Sequence, residues 1–373
     1  MSTLRIIICL LIGTIAVEST PQDAGTPLIL TPYIQSGQIE EALQLSLVTN
    51  LTPNITSYSG FITVNEECNS NLFFWFFPTQ NVFTLDPLTI WLGGEPGVSV
   101  LEGLFLQNGP YELTLEEELK LREYSWNLKS SVLYIEPVIG NGFSFADSAE
   151  CSTTTSIQAG DDIMSALDQF LILFPEMKDV WMYLASETYG AKYSVHIGEQ
   201  TRKYPNLRGM IAANALIDPI HQVNYSKVFY ELGLVSAKVK QQMDEIEQEM
   251  YFALREGDHA KALKLRDEDL LNDTFAKNSG FSSFDNFLET TGRKKADYGA
   301  FVNKAEVRKA IHVGDAVWQD DKAVVVNRLK DDILKSVIDG FTDILFPFRC
   351  LLYWGQFDLM VPYGPSINFV EVS

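Results

Sequence analysis

The segment Leu184-Ala185-Ser186-Glu187-Thr188-Tyr189-Gly190-Ala191-Lys192-Tyr193 joins a strand-like run, Val180 to Leu184, to a helix-like stretch. A sharp strand-to-helix turn can hold a hydroxyl nucleophile clear of the backbone. It requires small residues two places on either side of the nucleophile, the G-x-S-x-G pattern. Ser186 and Gly190 satisfy that requirement, and Thr188 stands at the apex where serine belongs. The chemistry such a turn serves is acyl transfer, attack on an ester or amide carbonyl. Threonine alters the terms. Its β-branch stiffens χ1, and the elbow holds its apex residue in a strained backbone conformation in which a β-branched residue is an outlier.

The nucleophile of such a site is followed along the chain by an acid and then a histidine. Asp358 holds the acid position, just after an apolar strand, Cys350 to Tyr353, closed by Gly355-Gln356-Phe357-Asp358. Residues 359–373 contain no histidine. A hydroxyl without a base to take its proton is a weak nucleophile near neutral pH. His196, His221, His259 and His312 all precede Asp358 and stand apart from one another. None belongs to an H-E-x-x-H pattern, and no phosphate-binding G-x-x-x-x-G-K-[ST] loop occurs, so no metal or cofactor is expected.

The elements that position these residues alternate. Phe61–Val64, Leu72–Pro78, Thr89–Leu92 and Ser131–Ile135 are apolar and aromatic strand candidates that start near Ser59. Asp161–Phe174 places Ile163, Met164, Ala166, Leu167, Phe170, Leu171 and Phe174 at helical spacing. The strand before the turn and a short one from Gly209 to Ala213 follow. This order predicts an α/β fold with a mostly parallel central sheet covered on both faces. From about Asn224 to Leu271 charged and apolar residues recur at helical spacing, which predicts a helical insertion over the sheet. Ala305 to His312 reads as a helix. Residues 20–57, rich in Thr, Pro, Gln and Ser, read as an extended lead-in.

The chain has 373 residues, 46% of them hydrophobic, and a net charge of −21. Such a surface repels phosphate backbones, so nucleic acid is not an expected partner. Arg5 followed by the apolar run Ile6–Val17 and small residues near Ala16 and Ser19 reads as a secretory leader. No later apolar run is long enough to span a bilayer. Four glycosylation sequons, at Asn50, Asn54, Asn224 and Asn272, agree with a secretory route ending in secretion or the lysosome. With Cys9 in the leader, Cys68, Cys151 and Cys350 allow one internal disulfide and leave one thiol, with the pairing open.

Many ordered matches between Tyr58 and Val361 make the chain resemble the serine carboxypeptidases, in particular their vitellogenic carboxypeptidase-like branch. They include Tyr58-Ser59-Gly60-Phe61, Trp91 to Gly97, Asn108-Gly109-Pro110-Tyr111, Tyr124-Ser125-Trp126-Asn127, Gly142-Phe143-Ser144-Phe145, the turn at Thr188, Val307 to Gly314, and Gly355 to Asp358. The resemblance implies an α/β-hydrolase fold and an exopeptidase that removes C-terminal residues at acidic pH. It implies a leader at 1–19, a first part of the core at 20–215, and a helical cap at 216–304. The second part of the core, at 305–373, is expected to lack the family's final segment, which normally carries the histidine.

The same resemblance assigns roles. Glu187 and position 93 would hold a substrate's terminal carboxylate. The backbone N–H groups of Tyr189 and position 95 would face the oxyanion. Gly93 replaces the family's asparagine, and Glu95 its second loop glycine, unless a local shift makes Gly93-Gly94 the paired glycines. Relatives carry two cysteines where Phe281 and Thr290 stand. His312 matches a shared segment beside, not at, the catalytic histidine. Three functions follow: an impaired homologue keeping a peptide-binding cleft, an active carboxypeptidase whose sequence here is truncated, and a structural or storage protein.

Overall fold

The computed structural model describes residues 24–51, 55–81, 86–346 and 348–372. The expected leader and Asn54 lie outside them. Nine strands are present among the described residues: β1 Tyr58–Asn65, β2 Ser70–Phe77, β3 Leu88–Trp91, β4 Tyr111–Leu113, β5 Leu119–Leu121, β6 Ser131–Ile135, β7 Met182–Glu187, β8 Leu207–Ala213 and β9 Arg349–Tyr353. Seven form one sheet in the order β1-β2-β6-β3-β7-β8-β9. The pairings β1/β2 and β2/β6 are antiparallel, and those from β6 across to β9 are parallel. β4 and β5 make a separate antiparallel pair. This is the mostly parallel α/β sheet expected from the alternation, in keeping with the α/β-hydrolase fold that the resemblance implied.

Side-chain alternation along β2 builds both faces of the core, because successive residues of a strand point to opposite sides. Phe74 and Phe76 meet Phe170, and Phe76 also meets Phe174. Phe73, Trp75 and Phe77 point the other way and meet Phe143, Phe105 and Tyr111. All of β2 is buried, and from Leu72 to Phe77 it reads as a continuous apolar run rather than an alternating one.

The described part of the lead-in is not extended throughout. It contains two short helices, α1 Thr31–Gln35 and α2 Ile39–Ser46. Pro32 opens α1, where its missing N–H costs nothing. Glu40 and Glu41 sit in the first turn of α2, where the helix dipole favours negative charge. Leu30, Ile34 and Ala42 bury against the core. Polar composition hid this, since only one residue in several is needed to anchor such short helices.

The next helices are α3 Ser156–Leu173 and α4 Gly190–Glu199. Residues 216–304 contain no strand. They hold α5 Pro219–Gln222, α6 Tyr225–Glu231, α7 Ala237–Glu256, α8 His259–Lys264, a π-helical stretch Leu265–Ala276, α9 Lys277–Ser279 and α10 Tyr298–Val302. Ser236 caps the start of α7 by accepting from the Val239 N–H, and Gly257 ends it in the left-handed region. This segment has its own apolar cluster, including Phe229, Met243, Leu270, Leu271 and Phe275, which closes on Leu359. The chain returns through α11 Ala305–Ala310, α12 Lys322–Ile333, α13 Ile338–Ile344, β9 and α14 Tyr363–Val372. Cys68 and Cys151 form a disulfide, and Cys350 is free. No helix among the described residues is long and apolar enough to cross a membrane.

Candidate active site

Thr188 stands between the C-terminal end of β7 and the first turn of α4 with φ 42°. The sharp turn expected from the spacing is therefore formed, and its apex lies in the left-handed region with a β-branched residue in it. The turn is fixed by its backbone: Thr188 N–H donates to the Ala213 carbonyl at 2.9 Å, and the Thr188 carbonyl accepts from Leu216 N–H at 3.0 Å. A Cβ on Gly190 would lie 2.3 Å from the Gly93 carbonyl oxygen, so that position accepts only glycine. Ser186 and Ser194 hydroxyls meet at 3.0 Å beneath the apex. Tyr189 is buried, and its hydroxyl donates to Asp332 at 2.6 Å. Lys192 is buried one turn further on and donates to the carbonyls of Asp332 and Lys335 at 2.6 and 2.5 Å. Burial pushes its ammonium down to about 7.

The loop after β3 approaches the apex edge-on. The Gly93 carbonyl accepts from Glu187 N–H at 2.8 Å, and Gly93 has φ +66°. A Cβ on Gly94 would come within 2.6 Å of Glu187 Cβ. Gly94 is thus held to glycine by packing against the turn, and Gly93 is favoured as glycine by its positive φ. Glu95 follows them, and its carboxylate pairs with Lys322 Nζ of α12 at 2.5 Å. The charge expected to face the oxyanion position is accordingly engaged by a cation. Gly97, at φ +82°, leaves room for the Lys322 backbone, whose Cα would lie 2.6 Å from a Cβ there.

A cavity of about 400 Å³ gathers Gly93, Gly94, Glu95, Glu187, Thr188 and Asp358. The residues read from the sequence as nucleophile position, acid position, oxyanion loop and carboxylate grip thus share one cleft. Burial raises the Asp358 carboxyl to about 6, against the hydrogen bond it accepts from Val361 N–H at 2.6 Å. Burial also raises Glu187 above the usual carboxylate range, partly offset by a hydrogen bond from Gln107 Nε2 at 3.2 Å. Gln107 escaped the sequence reading, although it directly precedes the Asn108-Gly109-Pro110 match. Lys295 pairs with Glu102 at 2.9 Å on the same wall. A second cavity, of about 270 Å³, shares Thr188, Glu95, Lys322, Phe284 and Met360 with the first and adds Tyr189. The two flank the apex.

His312 is elsewhere: its Nδ1 lies 3.1 Å from the Ser59 hydroxyl. Neither cavity is lined by a histidine among the described residues. Asn50, Asn224 and Asn272 are exposed, Asn272 at the second cavity. Phe281 packs into the apolar cluster of the 216–304 segment, and the Thr290 carbonyl accepts from Ser282 N–H at 2.8 Å.

Residues 48–372 match the sequence profile of the serine carboxypeptidases. The chain belongs to the serine carboxypeptidase family. A family member from Apis mellifera, venom serine carboxypeptidase, is 36% identical over 366 residues, covering 94% of this chain and 78% of the relative. Vitellogenic carboxypeptidase of Aedes aegypti is 35% identical over 367 residues, with the same coverage of both chains. The human probable serine carboxypeptidase CPVL is 36% identical and covers 91% of this chain and 74% of its own. In three dimensions the chain resembles Kex1(Δ)p, a prohormone-processing carboxypeptidase from Saccharomyces cerevisiae. The TM-score is 0.72 at 19% identity, over 88% of this chain and 80% of the other, a likeness of fold.

Proposed function

We propose that this serine carboxypeptidase-family protein keeps a cleft for peptide C-termini and turns peptides over poorly or not at all. The observation that carries the reading is Thr188 itself, a secondary alcohol on a stiff χ1 at the left-handed apex of an otherwise intact turn. A hydroxyl nucleophile also needs a base, and no histidine among the described residues lines either cavity. The side chain at position 93, a family carboxylate donor, is reduced to hydrogen. The grip that remains is Glu187 with Gln107. Glu187 is held toward its neutral form by burial, and a neutral carboxyl can donate to an anionic terminus at acidic pH.

An active carboxypeptidase is the second reading, favoured by the preserved backbone of the turn and by Asp358 in the same cleft. A fluorophosphonate probe separates the two. We expect no label at Thr188, no release of C-terminal residues from peptides between pH 4 and 7, and no gain of labelling in Thr188→Ser alone. Labelling at Thr188, or residue release abolished by Thr188→Ala, establishes the active reading instead. We further propose a secreted or lysosomal glycoprotein. The apolar run Ile6–Val17, the exposed sequons and the Cys68–Cys151 disulfide support this, because disulfides persist in oxidising compartments. Recovery of unglycosylated protein with Met1 intact overturns it.

A further inference from the structure

The second cavity lies between the π-helical stretch Leu265–Ala276 and α12. Its walls include Leu271, Phe284, Val326 and Ile333, and it opens beside Thr188. Three of its lining residues are exposed, Glu95, Lys322 and Asn272, so these form its mouth. Glu95 and Lys322 pair with each other on one side. Asn272 stands on the other side, in the π-helical stretch, and begins the sequon Asn272-Asp273-Thr274. The other described sequon asparagines, Asn50 and Asn224, line neither cavity at Thr188. The Asn272 amide makes no hydrogen bond among the described residues, so a substituent on it displaces nothing.

What such a substituent would do follows from its chemistry. An N-linked glycan is bulky and hydrophilic. Attached at the mouth of a cavity of about 270 Å³, its first sugars have water on one side and the mouth on the other. Sugar hydroxyls both donate and accept, so they can bond the exposed Glu95 carboxylate and the Lys322 ammonium across the opening. The attachment balances. Asn272 Nδ2 bonds to the anomeric carbon of an oligosaccharide carried on a lipid diphosphate. The bond from that carbon to the diphosphate oxygen breaks, and the amide proton leaves with the diphosphate.

We infer that an N-linked glycan on Asn272 covers the second cavity and closes that side of the Thr188 turn to bulky ligands, leaving the first cavity as the way in. The cleft then admits short peptides and excludes long ones. This size filter rests on the proposed peptide-terminus cleft, whereas the cover itself does not.

The test uses the full chain secreted from a eukaryotic cell. Glycopeptide mass spectrometry is expected to find Asn272 occupied, and an unmodified Asn272 overturns the inference. Val326 lines the second cavity and not the first, so Val326→Cys places a thiol under the cover, with Cys350 as the internal reference. A polyethylene-glycol maleimide is expected to label position 326 several-fold faster, relative to Cys350, once Asn272→Gln is added. N-ethylmaleimide should label it at the same rate in both forms, and Asn224→Gln should change neither rate. Equal rates with the bulky reagent overturn the cover. A parallel rise with both reagents shows a loosened wall and also overturns it. If either variant fails to fold, Met360 serves in the native chain before and after enzymatic removal of the glycans. It lines the second cavity and is the one described methionine that is not buried. Its oxidation by chloramine-T should speed up several-fold on deglycosylation, and an unchanged rate overturns the cover. Tripeptides and dodecapeptides titrated by fluorescence anisotropy then read the filter. The longer peptide is expected to bind more weakly than the shorter to the glycosylated form and equally well to Asn272→Gln. The same length dependence in both forms overturns the filter. No binding by any peptide to either form removes the peptide cleft, and the thiol result still decides the cover.

Discussion

At φ 42° the Thr188 backbone crowds its own side chain, a conformation costing about 1–3 kcal/mol for a non-glycine residue. Thr188→Gly removes the crowding but adds chain entropy to the unfolded state. A net gain of about 1 kcal/mol is expected, read as a rise in Tm, and a fall in Tm would show the apex to be unstrained. The neighbouring Gly190 behaves oppositely. A Cβ there would meet the Gly93 carbonyl at 2.3 Å, so Gly190→Ala should cost roughly 2–3 kcal/mol, as overpacking does. Denaturant titration of both variants checks the pair. The apex was legible because Ser186, Thr188 and Gly190 are local and their spacing states the turn. Gln107 was not, since it acts on Glu187 across 80 residues of sequence and carries no signature of its own.

Loop and helix meet where the segment after β3 lies on the start of α12, and two contacts could hold them together. The Glu95–Lys322 pair is about half exposed on both sides. Exposed pairs of this kind contribute about 0–1 kcal/mol. The backbone apposition of Gly97 and Lys322 is tighter, because a Cβ at Gly97 would lie 2.6 Å from Lys322 Cα and the residue also has φ +82°. Lys322→Ala is therefore expected to change unfolding free energy by less than about 1 kcal/mol. Gly97→Ala should lose roughly 2 kcal/mol or more. Equal losses in the two variants would show that the ion pair, not the backbone contact, pins the loop. Elements with a strong period, such as α3 and β2, were readable from sequence. α1 and α2 were not, because helices of five and eight residues are set by what Leu30, Ile34 and Ala42 pack against rather than by their own pattern.

Across the molecule, buried acids tie stability to pH. Glu136 is fully buried and accepts hydrogen bonds from Ser99 at 2.5 Å and Asn141 at 2.7 Å, yet desolvation raises it from 4.5 to about 7. Between those values the folded state binds the proton more tightly than the unfolded chain. Stability conferred by the protonated form is complete below 4.5 and is lost as pH rises to about 7. At about 1.4 kcal/mol per pH unit the loss is about 3 kcal/mol. Asp358, raised from 3.8 to about 6, has the same sign over a lower window. Glu136→Gln should flatten the dependence of Tm on pH between 4.5 and 7, and an unchanged slope would exclude Glu136 as its source. The alternation of strands and helices that predicted the fold said nothing of strand order. That order places β6 between β2 and β3 and depends on long-range packing.

The Cys68–Cys151 bond also fixes a sequence of events. Its two sulfurs are separated by 83 residues, and β2, β3 and β6 all lie between them. During synthesis the first thiol must wait until the strands that form one side of the sheet have emerged. The bond therefore cannot precede the emergence of those strands. Once closed, it removes about 4–5 kcal/mol of loop entropy from the unfolded chain. Newly made chains held in a reducing environment should stall short of that step. Cys151→Ser should reproduce the stall as slow, low-yield maturation that added oxidant does not cure.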